Sequence, residues 1–231
     1  MTAHRFHPSH ELFPKGLRGI VFDVDGVLFD SRSSNIHYYN VVRRAVQLPP
    51  LSHEEEEYCQ MSTSEQAFAY IIPKHLTADA EAARRKISYH EQVLPMLVPE
   101  PGLLEALHWL HNWRVHLGIY TNRTNSVDVL LRYFSLETFF SLVKTAENSA
   151  PKPHPQGLLE ILSEWDLPNN QMLFIGDSRV DEQAANAAGV PFCAFRSKDL
   201  QATVHISDYF ELIHWLTPLI EHSPQRETPL E

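Results

Sequence analysis

Two aspartates at the end of an apolar run are the residues of this chain whose spacing points most directly to chemistry. Asp23 and Asp25 stand two apart in FDVDG, directly after the run 20–22. In a strand such residues point to the same side, and Gly26 tolerates unusual dihedrals, so the carboxylates can converge. Close carboxylates repel unless a cation or a shared proton lies between them. The pair favours a hard metal ion, a nucleophile with an acid/base partner, or both, although a strand ending in an Asp-Gly turn would contain the same residues.

Two further segments supply a hydroxyl, an amide and an ammonium group. Thr121 and Asn122 follow the apolar run VHLGIY, where they could hydrogen-bond to an anion, although Thr-Asn is also ordinary turn chemistry. Lys152 stands between Pro151 and Pro153, which restrict the backbone and so confine the ammonium group to a narrow region. A solvated lysine in a surface loop is the alternative interpretation of this segment.

A fourth segment again places carboxylates after an apolar run. In LFIGDSRVD, Asp177 follows the run, and Asp181 comes four residues later, within the first turn of a helix that would begin near Ser178. Both carboxylates could then face one site. Helix capping by Asp177, with Asp181 favoured by the helix dipole, would explain the residue types equally well. It would not explain why the first strand also ends in carboxylates.

The elements that must position these residues alternate along the chain. Between the strand-like runs lie amphipathic helices, the last of which is ended by Gly189. This alternation predicts an α/β fold, a doubly wound parallel sheet with a Rossmann-like core, in which ligands bind at the carboxyl ends of the strands. The predicted strands are 19–22, 115–120, 142–145, 172–175, 190–195 and, more weakly, 203–206, and the predicted helices are 102–113, 126–134, 155–165 and 178–188.

Residues 32–98 interrupt the alternation and carry no strong strand signal. Ser52 with Glu55, and Thr63 with Gln66, fit two capping boxes that mark helix starts. Because the segment follows directly after the carboxylate-bearing strand, we expect an inserted all-helical cap that overhangs the strand end and acts as a lid. The predicted organisation is a catalytic core at 17–31 and 99–222, a helical cap at 32–98, and flexible tails at 1–16 and 223–231.

Composition limits the partners of the protein. A chain of 231 residues with 43% hydrophobic and 21% charged residues is ordinary for a soluble globular protein. The formal net charge of −10, without a basic run, argues against nucleic acid or an anionic membrane as a partner. Cys59 and Cys193 are the only cysteines, and no run has signal-peptide or transmembrane character, so we expect a cytoplasmic protein without disulfides. The sequence leaves the oligomeric state open.

Taken in order, the segments FDVDGVLFDS, IYTN, PKP and GDSRVD resemble the four motifs of the haloacid dehalogenase-like hydrolase superfamily, between residues 18 and 195. The helical insert lies between the first and second motifs, which resembles the subgroup that contains phosphoglycolate phosphatase and beta-phosphoglucomutase. The resemblance implies a magnesium-dependent phosphatase that hydrolyses a small phosphomonoester, a phosphorylated metabolite, through an aspartyl-phosphate intermediate.

The same resemblance implies roles for the carboxylates. Asp23 is the implied nucleophile, and Asp25 is the implied general acid/base that protonates the leaving alcohol and then activates water. Mg²⁺ would be bound by Asp23, the backbone carbonyl of Asp25 and Asp177, with help from Asp181 directly or through water. Dehalogenases of the superfamily lack an acid at the position of Asp25, so its presence favours phosphate chemistry.

For the substrate, the resemblance implies binding by Thr121, Asn122 and Lys152, with Lys152 also restraining Asp23. The cap stretch 61–66 lacks Lys and Arg and so gives little sign of a second anionic group, although Arg32 or Arg43 could reach the site.

Two alternative functions stay open at this point. A phosphomutase of the beta-phosphoglucomutase type would use the same core and keep the phosphoryl group by excluding water. A non-catalytic binding or regulatory protein on the same fold is the other, and the intact carboxylates and lysine weigh against it.

Overall fold

The computed structural model describes residues 12–221, and the predicted tails outside this range lie beyond the described residues. The strands are β1 (Gly19–Phe22), β2 (Phe29–Asp30), β3 (Val98–Pro99), β4 (His116–Tyr120), β5 (Leu142–Lys144), β6 (Met172–Gly176), β7 (Phe192–Phe195) and β8 (Val204–Ile206).

The α-helices of the described residues are α1 (Arg32–Ala45), α2 (His53–Met61), α3 (Ser64–Ile71), α4 (Thr77–Arg84), α5 (Tyr89–Gln92), α6 (Leu103–Asn112), α7 (Val127–Tyr133), α8 (Gln156–Trp165), α9 (Arg179–Ala188) and α10 (Tyr209–Glu221). Short 3₁₀ turns lie at Lys74–Leu76, Leu94–Met96 and Asn169–Gln171.

Six strands form one parallel sheet in the order β5-β4-β1-β6-β7-β8. Successive side chains of a strand point to opposite faces, so Ile20 and Phe22 pack with the core that includes α6, α7 and α10, whereas Val21 packs with α8 and α9. Helices cover both faces, and the predicted doubly wound α/β fold is confirmed. Phe22 is in register with Ile119 and Ile175, so β1, β4 and β6 end at the same edge.

A helical segment, residues 32–97, is inserted between β2 and β3 and contains α1 to α5. Both predicted capping boxes are confirmed: Ser52 with Glu55 begins α2, and Thr63 with Gln66 begins α3. The segment has a small core of its own that includes Val42, Leu51, Cys59, Ala67, Phe68 and Ile71. Helices α1 to α4 therefore bury apolar surface mainly against each other, whereas Tyr89 of α5 and the nearby Leu94 pack with the core of the sheet.

A two-stranded antiparallel ribbon, which the sequence did not reveal, closes the base of the helical segment. Phe29 pairs with Pro99, and Asp30 pairs with Val98. Strands of two residues are too short to show a periodic pattern, and these two are separated by the whole insert. The ribbon brings the two connections of the segment side by side.

The chain joins the core earlier than predicted. Phe13 is 1% exposed, and its ring packs edge-on against Trp215 of α10. The prediction of a loose tail as far as residue 16 is therefore wrong for residues 12–16. Cys59 and Cys193 are buried thiols without a disulfide. Between residues 12 and 221, no helix combines the length and apolarity that crossing a membrane requires.

Candidate active site

The carboxyl ends of β1, β4 and β6 open into a cavity of about 770 Å³ that also borders the helical segment. Every residue predicted for the site except Asp181 lines this cavity: Asp23, Asp25, Thr121, Asn122, Lys152 and Asp177. The loops that carry them follow strands that end in register, so residues far apart in the chain meet at one edge. Asp181 lies directly behind this lining and is fully buried.

Lys152 stands between two carboxylates inside the protein. Its Nζ lies 2.7 Å from Oδ1 of Asp23 and 2.6 Å from Oδ1 of Asp181, and its side chain is 2% exposed. Burial alone would lower the pKa of Lys152, but Asp181 and Asp23 raise it above its ordinary value. The side chain is therefore a fixed ammonium ion, able to offset the charge of an anion bound next to Asp23.

Three carboxylates crowd this edge of the sheet. Ligand oxygens of Asp23, Asp177 and Asp181 all lie within 4.8 Å of one another. Burial, with repulsion from Asp181 and Asp25, raises the pKa of Asp23 to about 7 in spite of Lys152. Burial and the charges of Asp181 and Asp23 likewise raise the pKa of Asp177 well above its ordinary range. An all-oxygen donor set with this charge suits a hard divalent cation such as Mg²⁺.

Asp181 is held more firmly than the other two. Its Oδ2 accepts hydrogen bonds from the backbone N–H and the hydroxyl of Ser178, the first at 3.0 Å, and its Oδ1 faces Lys152. Ser178 and Asp181 form the capping box of α9. The alternative interpretation of the sequence, in which Asp177 caps this helix, is therefore wrong. Asp177 is left facing the cavity, whereas Asp181 orients Lys152 from behind.

Gly26 is required by a close approach to Asp177. Its φ is +73°, and a Cβ at this position would stand 2.1 Å from Oδ2 of Asp177. Only glycine adopts this backbone without strain and leaves space for the carboxylate. The glycine of FDVDG thus lets the loops after β1 and β6 meet.

Thr121 and Asn122 follow β4 but face different partners. Thr121 is 1% exposed, lines the cavity, and accepts a hydrogen bond from the backbone N–H of Arg123 at 3.3 Å. Asn122 donates to the backbone carbonyl of Lys152 at 3.1 Å and accepts from its N–H at 2.8 Å. Both polar atoms of the Asn122 side chain are thus used to hold the lysine loop, which leaves Thr121 as the side chain of this pair that is available to an anion.

Asp25 forms an ion pair that the sequence reasoning missed. Nε and Nη2 of Arg123 each donate to an oxygen of Asp25 at 2.6 Å, and Asn35 of α1 donates to Oδ1 at 3.0 Å. Burial alone would raise the pKa of Asp25, but Arg123, with Ser31 and Asn35, lowers it below its ordinary value. The sequence signal for this ion pair was Arg123, which directly follows IYTN. In the sequence alone this arginine looks like an ordinary loop cation.

Several arginines of the helical segment stand near the cavity. Arg32 lines it but is paired with Glu57 at 2.6 Å, and Arg43 is buried within the segment, where it bonds to Glu55 and to backbone carbonyls. Of the two arginines proposed from the sequence to reach the site, Arg32 alone lines it. Arg84 and Arg85 also line the cavity and were not anticipated.

Comparison with known proteins places the chain in a family. The family model for haloacid dehalogenase-like hydrolases matches residues 20–195. The phosphoglycolate phosphatase of Salmonella typhi is 30% identical over 203 residues, covering 77% of this chain and 80% of that protein. The phosphoglycolate phosphatase of Photorhabdus laumondii is 31% identical over 188 residues, covering 77% and 79%.

Solved structures show the same fold. A haloacid dehalogenase-superfamily hydrolase of subfamily IA from Geobacter sulfurreducens is 35% identical, with a TM-score of 0.73, and covers 87% of this chain and 97% of its own. CbbY from Rhodobacter sphaeroides, solved in complex with phosphate, is 19% identical with a TM-score of 0.70, covering 85% and 96%. With the four motifs gathered around one cavity, these matches show that the chain belongs to the haloacid dehalogenase-like hydrolase family.

Proposed function

We propose that this protein is a magnesium-dependent phosphatase that hydrolyses a small phosphomonoester through an aspartyl-phosphate intermediate. The observation that carries the proposal is Asp23 at the carboxyl end of β1, 2.7 Å from the buried Lys152 and within 4.8 Å of two further carboxylates. Relatives named phosphoglycolate phosphatase, matched over about four fifths of their length, support phosphatase activity.

The donor atoms fit Mg²⁺. Asp23, Asp177 and the backbone carbonyl of Asp25 would hold the ion, and Asp181 would help, directly or through water. When bound, the ion offsets the charge of the carboxylates and of the phosphoryl oxygens. The raised pKa values of Asp23 and Asp177 support this assignment, because such carboxylates gain most from a nearby cation.

In the proposed reaction the Asp23 carboxylate attacks phosphorus, and the bond from phosphorus to the leaving oxygen breaks. Lys152 and Thr121 hold the phosphoryl oxygens, and Asn122 acts indirectly by fixing the Lys152 backbone. Asp25, which the pair with Arg123 keeps ionised at neutral pH, first takes up a proton from solvent in the enzyme–substrate complex and then gives that proton to the leaving alkoxide. It then takes a proton from the water that attacks the aspartyl-phosphate, which releases inorganic phosphate and regenerates Asp23.

A panel of small phosphorylated metabolites and p-nitrophenyl phosphate, assayed with Mg²⁺ and with EDTA, tests this proposal. We expect EDTA to abolish turnover, Mg²⁺ to restore it, and phosphate and alcohol to appear at equal rates. Full activity in EDTA would contradict the metal requirement. A phosphorylated isomer with little free phosphate would identify a phosphomutase, and the absence of turnover across the panel would favour a binding protein.

A further inference from the structure

Arg123 is a buried cation that joins the core to the helical segment. Its side chain is 8% exposed, and its Nε and Nη2 bind the two oxygens of Asp25. Its Nη1 donates to the hydroxyl of Tyr89 and, at 3.2 Å, to the hydroxyl of Ser126. Tyr89 belongs to α5 and Ser126 precedes α7, so one guanidinium group bonds to both parts of the molecule.

Asp25 also contacts the helical segment directly. Asn35 of α1 donates to its Oδ1 at 3.0 Å. Asn35 lies just after the first connection of the segment, and Tyr89 lies shortly before the second. Because the Asp25–Arg123 pair is bonded to both ends of the segment, a displacement of the segment must change these bonds.

A bidentate guanidinium–carboxylate pair fixes both the position and the plane of the carboxylate. Proton transfer requires the acid to lie within hydrogen-bond reach of the leaving oxygen. In the present arrangement both oxygens of Asp25 are held by Arg123, so the guanidinium group decides which way the carboxylate faces. Tyr89, Asn35, Arg123 and Asp25 all line the cavity where that substrate would lie.

We propose that Arg123 is a positioning residue: it sets the direction of the Asp25 carboxylate and, through Tyr89 and Asn35, ties that direction to the position of the helical segment. This inference rests on the proposed role of Asp25 as general acid. Arg123 touches Asp25 rather than the phosphoryl group, so it acts on the leaving oxygen through the aspartate. A purely structural role would lower turnover of all substrates equally.

The test compares kcat/KM, which reports the step that releases the alcohol and excludes the later hydrolysis common to all substrates. It is measured for p-nitrophenyl phosphate, whose leaving group needs little protonation, and for the alkyl phosphate that the panel shows to be turned over fastest. Arg123→Met should lower kcat/KM for the alkyl phosphate about 100-fold, the lower end of general acid catalysis, and kcat/KM for p-nitrophenyl phosphate less than about tenfold. Arg123→Lys should recover part of the loss, and Tyr89→Phe should show a smaller effect in the same direction. Lys144→Met, which removes a cation paired with Glu160 and Glu164 outside the cavity, should leave the ratio unchanged.

Asp25→Ala separates failure of this inference from failure of the proposed function. If Asp25→Ala shows the leaving-group dependence and Arg123→Met slows both substrates equally, Arg123 does not position Asp25. If the wild type is active but Asp25→Ala slows both substrates equally, the acid role of Asp25 is wrong, and the inference about Arg123 is wrong with it.

Hydrogen exchange tests the link to the helical segment without any turnover. Arg123→Met and Tyr89→Phe should raise deuterium uptake in peptides covering residues 32–36 and 86–93, and Lys144→Met should not. Unchanged uptake in those peptides would overturn the link. This test applies even if the wild type hydrolyses none of the panel.

Discussion

Burial and the charge of Lys152 act in opposite directions on the pKa of Asp23. The carboxylate is 6% exposed and close to two others, which raises its pKa to about 7, while Lys152 at 2.7 Å favours the ionised form. A nucleophilic carboxylate must be ionised, so the lysine and a bound cation would both keep Asp23 competent at neutral pH. The carboxylates that would supply the proposed chemistry thus also repel one another, which lowers the stability of the folded protein when no cation is bound.

Asp23→Asn should remove turnover and leave the fold intact. Asparagine is nearly isosteric with aspartate but cannot act as the carboxylate nucleophile. We expect less than about a hundredth of wild-type turnover, the scale of a modest catalytic contribution, with an unchanged circular dichroism spectrum. Asp128→Asn, on the exposed face of α7, is the matched control and should keep full activity. Retention of more than a hundredth would refute the role of Asp23.

At the scale of elements, the helical segment is attached to the core through a narrow base. Its two connections meet in the β2–β3 ribbon, and its apolar residues pack largely in their own core. A unit attached in this way can move as a body while the sheet stays rigid. The cavity borders both units, so such a motion would open or close it.

We predict that the helical segment closes over the site, with the connections near 30–33 and 97–102 as hinges. A phosphate-mimicking metal fluoride with Mg²⁺ should reduce hydrogen exchange in both connections, because closure restricts hinge residues. Peptides from β8, the edge strand three positions from β1 and outside the cavity lining, provide an internal control and should show no change. Unaltered exchange at both connections, with the inhibitor demonstrably bound, would argue against a moving segment.

At the scale of the whole molecule, we predict that the carboxylate cluster links the stability of the fold to pH and to the proposed metal. The folded protein holds the Asp23 proton up to about pH 7, whereas an unfolded chain releases it near 3.8. The folded state therefore binds more protons between these values, and its stability falls as pH rises through this window. The raised pKa of Asp177 likewise makes stability fall as pH rises. The pKa of Asp25 is lowered, so this carboxylate affects the pH dependence of stability only below this pH range.

The Tm of the protein in EDTA should therefore fall relative to that of Asp23→Asn as pH rises from about 4 to about 7. The difference should reach several degrees, since about 1 kcal/mol moves the Tm of a domain of this size by about 2–4 °C. If Mg²⁺ binds the folded site as proposed, it should cancel the fall in the wild type. A Tm difference that stays constant with pH would show that Asp23 does not carry the linkage.

The sequence by itself determined the sheet, the capping boxes and the edge where the site lies. A strand buried on both faces must be apolar along its length, and each following helix must be amphipathic, so β1, β4 and β6 are visible locally and agree with their predictions within one residue. The carboxyl ends of neighbouring parallel strands share one edge, and for this reason the strand pattern alone is enough to bring Asp23, Thr121 and Asp177 together.

Only the tertiary structure decided what each polar side chain faces. Arg123 reaches Asp25 across 98 positions, and Asn122 holds the Lys152 backbone across 30. The β2–β3 ribbon and the burial of Phe13 likewise depend on distant partners. Local patterns report a residue's immediate neighbours and the face it occupies. The direction of a long side chain, and the charge it meets, depend on segments that folding alone brings into contact.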